Sequence, residues 1–193
     1  MLRSEIENIV NGVLNNYVSK GGAYKQFTRI LSGENIQYKE VDANADKFCG
    51  VFTRSLEGKR YIIVNKNIDN IGRKNFTIAH ELGHCFLGHE LKITLSIDKE
   101  INEECSNKNT IEYEADYFAT CLLMPKDKAE RAFKSILSNN YKGVPDYPFV
   151  VNQSNYKCWA IINKNLTNRF GVSETALRYR LSSLDLVAFE NKY

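Results

Sequence analysis

Apolar side chains at Ile6, Ile9, Val10, Val13, Leu14 and Tyr17 recur at the three- and four-residue spacing of a helix face. Ser4 precedes them as an N-cap and Gly21-Gly22 follows as a stop, so the pattern predicts one amphipathic helix. A second short helix is expected from Tyr24 to Leu31. The period then changes. Gln37 to Val41, Phe48 to Phe52 and Arg60 to Val64 are short runs rich in β-branched and aromatic residues, divided by polar turns. They predict strands of a small, mainly antiparallel sheet.

Helical spacing returns from Arg73 to Leu87, with Phe76, Ala79, Leu82, Phe86 and Leu87 on the apolar side and Gly88 placed to end the helix. After a polar, charged stretch from Glu90 to Asn109, Thr110 is positioned to cap a second strong helix that reaches Met124 and stops at Pro125. Further helices are predicted over Asp127 to Leu137 and Lys157 to Arg169. Asn139 to Tyr156 has neither period and contains Gly143, Pro145 and Pro148, which describes a surface loop. The segment from Leu166 to Leu184 looks like two helices joined by a tight turn, with Ser173 as N-cap. The expected class is α+β: a main domain over residues 1–156, with a helical hairpin over 157–193 packed on it.

Composition narrows the setting. With 193 residues, 43% of them hydrophobic, the chain can bury one sizeable core. Net charge is +3 with both signs mixed, so no broad basic surface is announced. The first residues lack the apolar core of a signal peptide, and no run is long enough to span a membrane, so a soluble cytoplasmic protein is expected. Cys49, Cys85, Cys105, Cys121 and Cys158 are scattered and odd in number, which suits free thiols in a reducing compartment.

All three histidines fall between positions 80 and 89. His80 and His84 are four apart, so on a helix they share one face about a turn apart, close enough to hold one cation. Neutral imidazoles suit zinc, and Glu81 between them is placed to hold a reacting water rather than the metal. The bland alternative is two histidines that fall four apart by chance beside a surface glutamate. Catalytic zinc needs a third protein ligand and one open position. His89 fits poorly, because metzincins place their third histidine six residues beyond the second, and on a continued helix His89 points about 180° from His80. A carboxylate of the next helix fits better. Glu112 and Asp116 share a face, so Glu112 can complete the two-histidine, one-glutamate set while Asp116 accepts from the free ring N–H of a ligand histidine. Glu114 is turned about 200° away from Glu112. Against this stands a merely solvated acidic face.

Tyr61-Ile62-Ile63-Val64-Asn65, Arg73 through His84, Glu112 through Ala119 and Leu122-Leu123-Met124-Pro125 together resemble the ImmA/IrrE metallopeptidase family, and Phe170 through Leu181 is similar to that family's ending. The likeness covers residues 35 to 186. It implies a zincin-like fold, zinc held by His80, His84 and Glu112, and Glu81 as the catalytic residue. It also implies a substrate class, a helix-turn-helix transcriptional repressor cleaved at one site by an anti-repressor. By analogy with zincins, the strand Tyr61 to Val64 is expected to add an extended substrate to the sheet edge. Tyr113 and Tyr117 are expected as packing groups, which leaves oxyanion help unassigned.

Two other classes compete. The C-terminal helices also look like a DNA-binding helix-turn-helix, but Lys157 to Tyr193 holds six Lys or Arg against three Asp or Glu, a modest surplus for gripping phosphates. Direct nucleic-acid contact is therefore disfavoured, and a hairpin that completes the core or docks a partner is preferred. The third class is a regulatory module that holds a metal and cuts nothing; the presence of Glu81 speaks against it.

Overall fold

The computed structural model describes residues 1–17, 23–43, 48–89, 104–143 and 145–190. Helices and small sheets alternate in an α+β arrangement, divided into compact units Met1–Leu122 and Leu123–Tyr193. None of the described helices is long and apolar enough to cross a membrane. Four free cysteines, Cys49, Cys85, Cys121 and Cys158, are found among the described residues.

The first unit begins with α1 (Arg3–Tyr17), which buries Ile6, Val10 and Val13. The helix starts ahead of Ser4, contrary to the expected cap. The Leu2 carbonyl accepts from Glu5 and Ile6 N–H, and the Glu5 carboxylate reaches back to Leu2 N–H at 2.8 Å, doing the capping from inside the first turn. The expected stop at Gly21-Gly22 lies outside the described residues. Helix α2 (Ala23–Gly33) buries Phe27 and Ile30.

Strands β1 (Ile36–Val41), β2 (Gly50–Arg54) and β3 (Arg60–Asn65) form one sheet in the order β1-β3-β2. The β2–β3 hairpin is antiparallel, with Phe52 opposite Ile62, and it closes through Gly58 N–H to Ser55 C=O at 2.9 Å. β1 pairs with β3 in parallel, Tyr38 opposite Ile62. The sheet is thus half parallel rather than mainly antiparallel, because the hairpin's second strand inserts between β1 and β2. This also corrects the substrate-edge assignment: β3 has a strand on each side, and β2 is an edge. Ile62 and Val64 of β3 are fully buried on one face, with Phe52 of β2.

Helix α3 (Ile71–Phe86) packs against β2 and β3. Asn70 caps it, its side chain accepting from Arg73 N–H at 2.9 Å, and Ile78, Ala79 and Leu82 enter the core. Fully burying a side chain such as Leu82 is worth about 1.5–3 kcal/mol. Helix α4 (Glu104–Leu123) starts before Thr110, which is therefore a helix residue and not the cap. Apolar spacing marks only the buried part of a helix, and a helix once nucleated extends into polar sequence at little cost.

The second unit holds α5 (Lys126–Asn140), β4 (Phe149–Val151), α6 (Tyr156–Phe170), α7 (Glu174–Ser183) and β5 (Val187–Phe189). β4 and β5 pair in parallel, so the expected loop from Asn139 to Tyr156 contains a strand too short to show a period. Gly171 ends α6 in the left-handed region at φ 63°, and Ser173 caps α7 by accepting from Ala176 N–H at 3.2 Å. Trp159, Ile162, Leu166, Leu177 and Leu181 are buried together with Arg180, whose Nε donates to the Met124 carbonyl at 3.1 Å.

Candidate metal centre

His80 and His84 lie one turn apart on α3, and Glu112 lies on α4. Gly83 explains how the two helices come close enough to share a site. A Cβ built there meets the Ala115 Cα and carbonyl oxygen at 3.1 Å and Phe118 Cβ at 3.3 Å, so the helices meet where α3 has no side chain. Ala115 and Phe118 flank that contact, and Glu112 is one turn before Ala115 on the same face.

Three acceptor atoms converge. His80 Nε2 is 2.9 Å from His84 Nε2 and 3.1 Å from Glu112 Oε2, and His84 Nε2 is 3.7 Å from the same oxygen. Ligands bound to zinc at about 2.0–2.2 Å in tetrahedral geometry lie roughly 3.3 Å apart, so the donor triangle has the right size. His80 Nδ1 faces Asp116 Oδ1 at 2.8 Å; a carboxylate accepts, so the ring proton sits on Nδ1 and the lone pair on Nε2. Nitrogen and carboxylate oxygen atoms gathered this closely must share a proton or a metal cation. The donor set therefore fits a metal ion, and among the described residues His80, His84 and Glu112 form the group able to hold one.

Electrostatics follow burial. Removal from water, with the neighbouring His80 and His89 adding to it, pulls His84 down to about 3, so the ring is neutral at ordinary pH, as a ligand must be. His80 is pulled down by burial, but the Asp116 hydrogen bond and the charges of Glu81, Asp116 and Glu112 outweigh that and raise it above the usual value. Glu81 is 5% exposed, and burial pushes its carboxyl up to about 7 although His80 and the Phe52 N–H favour the anion. That N–H donates to Glu81 Oε2 at 2.7 Å, tying the carboxylate to β2. A cleft of about 360 Å³ opens over His80, Glu81 and Glu112, with Gly50 and Val51 on one wall and Arg73 on another.

Sequence reasoning passed over His89 and Glu114. His89 Nδ1 is 3.0 Å from His84 Nδ1, and His89 Nε2 is 3.0 Å from Glu114 Oε2. The signal was Gly88, whose left-handed φ of 71° turns the chain back instead of letting it continue as a helix. Tyr117 hydroxyl donates to Glu7 at 2.9 Å and Tyr113 hydroxyl accepts from Arg3, so both tyrosines are engaged with α1.

The site thus joins a His-x-x-x-His helix to an acidic helix beside a three-stranded sheet. A family model described as Peptidase_M78, the IrrE N-terminal-like domain, matches residues 32–182, and the chain belongs to that family. A metallopeptidase family implies a bound metal ion, and the donors above fit one. Among solved structures, a Mycobacterium tuberculosis transcriptional regulator is similar at 17% identity with a TM-score of 0.61, over 93% of this chain and 46% of that protein. The chain thus spans about half the length of that regulator, and the likeness shows the fold alone. No curated protein matches the chain significantly.

Proposed function

We propose that this chain is a zinc-dependent endopeptidase that cleaves a helix-turn-helix transcriptional repressor at one site, acting as an anti-repressor in the cytoplasm. One observation carries the enzymatic part: the His80, His84 and Glu112 donors lie within 4.8 Å of one another, with the buried carboxyl of Glu81 in the same cleft. His80, His84 and Glu112 would hold the ion. When bound, zinc supplies Lewis acidity, polarising the scissile carbonyl and acidifying water. Asp116 orients His80 through Nδ1.

Glu81 is the proton carrier. Its Oε2 is fixed by Phe52 N–H, which leaves the rest of the carboxylate to take a proton from the attacking water and deliver it to the leaving amine. An affinity for protons near neutrality suits both steps. The edge strand β2 borders the cleft through Gly50 and Val51, where an extended substrate segment would add to the sheet. The repressor as substrate is supported by family membership, and a regulatory setting accords with the similar fold of the mycobacterial regulator.

The helical tail supports a packing role over a DNA-reading one. Arg180 is buried against the Met124 carbonyl, and the Arg178 guanidinium lies 3.9 Å from the Phe189 ring centroid, so both arginines of α7 are engaged within their own unit. Purified protein is expected to hold about one zinc per chain, with most lost in His84→Ala and Glu112→Ala. Full zinc content in both variants refutes the centre. Glu81→Gln is expected to keep zinc and lose cleavage of candidate helix-turn-helix repressors, mapped by intact mass; continued cutting refutes Glu81 as proton carrier.

A further inference from the structure

His89 and Glu114 supply none of the three converging donors, yet they are tied to one of them. At the end of α3 the His89 N–H donates to the His84 carbonyl at 3.0 Å, the bond that closes a helix terminus over a left-handed glycine. That reversal lays the His89 ring edge-on against His84, with centroids 5.1 Å apart. Glu114 closes the chain at 3.0 Å, and its other oxygen pairs with the Met1 amino group. The His89 and Glu114 side chains are only 6% and 8% exposed, so water does not compete for these bonds.

A contact between two imidazole nitrogens needs one N–H and one lone pair. Glu114, as a carboxylate, only accepts, which places a proton on His89 Nε2. A ring with a single proton there presents its lone pair at Nδ1. Of the two ways to share that contact, the one in which His84 donates from its own Nδ1 leaves its lone pair on Nε2, the atom 2.9 Å from His80 Nε2. In the opposite tautomer His84 would carry a proton where the ion belongs.

We propose that His89 and Glu114 form a positioning relay that holds His84 in the tautomer able to bind a metal through Nε2, as Asp116 does directly for His80. The relay rests on the zinc site proposed above. It makes the acidic residues of α4 divide their work: Glu112 toward the ion, Asp116 behind one histidine, and Glu114 behind the other through His89. Neither His89 nor Glu114 touches the reacting atoms, so neither is a catalytic residue.

The experiment uses the full chain as wild type, His89→Phe and His89→Gln. Phenylalanine keeps a ring but removes the acceptor, whereas glutamine keeps an acceptor oxygen. Zinc affinity, measured by competition with a chelator, is expected to fall about 10–100-fold in His89→Phe and to be mostly restored in His89→Gln. The second readout is long-range ¹H–¹⁵N correlation of the histidine rings after metal removal. There, wild-type His84 is expected to carry its proton on Nδ1, and His89→Phe is expected to lose that preference. A loss under fivefold in His89→Phe, or wild-type His84 protonated on Nε2, overturns the relay. If wild type binds no zinc, the zinc site itself fails and the ring tautomer alone still decides the relay. Should His89→Phe fail to fold, His89→Gln and the wild-type tautomer decide it.

Discussion

Glu81 offers a perturbation whose sign and size both follow from the fold. Its carboxyl is pushed from an ordinary value of 4.5 up to about 7, mainly by burial. Between those two pH values the folded, metal-free protein binds a proton that the unfolded chain releases, so this group's contribution to stability is fully present below pH 4.5 and is lost as pH rises through 7. Every tenfold change in proton affinity corresponds to about 1.4 kcal/mol, so the ionised group costs the metal-free fold about 3 kcal/mol above neutrality. Glu81→Gln keeps an oxygen to accept from Phe52 N–H and removes the charge. After chelation, urea unfolding is expected to show wild type and variant nearly equal at pH 4, with the variant gaining through the window and about 3 kcal/mol more stable at pH 8. The Glu81 charge also helps raise His80, so the His80 titration, followed by NMR in both proteins, is part of the difference. Zinc narrows the gap, because a cation beside Glu81 favours the anion. A variant equal to or weaker than metal-free wild type at pH 8 refutes the placement of Glu81 as a buried, poorly solvated carboxyl.

Other perturbations read other parts of the same arrangement. Gly83→Ala should cost about 1–3 kcal/mol of overpacking against Ala115, offset by about 1 kcal/mol of helix propensity, so it should weaken zinc binding far more than thermal stability; unchanged zinc affinity refutes the idea that this contact sets Glu112. Asp116→Ala removes the hydrogen bond and charge that raise His80, so in metal-free protein the His80 ring should titrate lower, and zinc affinity should drop about 10–100-fold. NMR titration and chelator competition check the two halves. Ser173→Ala removes the cap of α7 and should cost about 1 kcal/mol in thermal unfolding while leaving zinc affinity alone.

Much of the fold was legible because local rules and tertiary outcome agreed. Apolar spacing located α1, α3, α5 and α6 to within a few residues, and the short β-branched and aromatic runs divided by polar turns located β1, β2 and β3. Errors fell where the deciding interaction was distant or hidden in polar sequence. Nothing local says that β1 pairs with β3 and not with β2, its neighbour in the chain; that choice is made when the hairpin inserts into the sheet. β4 and β5, at three residues each, exist through their pairing with each other and leave no period to detect.

The site shows the same division more sharply. Spacing of four put His80 with His84 and Glu112 with Asp116, because residues on one helix face share a fate whatever the helix packs against. His89 is not among the converging donors, and the angle of 180° applies only to a helix that continues, whereas Gly88 in the left-handed region reverses the backbone and returns the ring to the helix it has just left. Glu114 was set aside for a related reason. It points away from Glu112, but the two imidazoles have two sides to satisfy, and a carboxylate turned about 200° from the metal-facing one is placed to reach the far side of His84 through His89. On the proposed zinc site, one helix would serve the metal from one face and the ligands' outer nitrogens from its neighbouring faces. An alternating run such as Glu112-Tyr113-Glu114-Ala115-Asp116 is worth reading as one device and not as a single ligand among solvated charges.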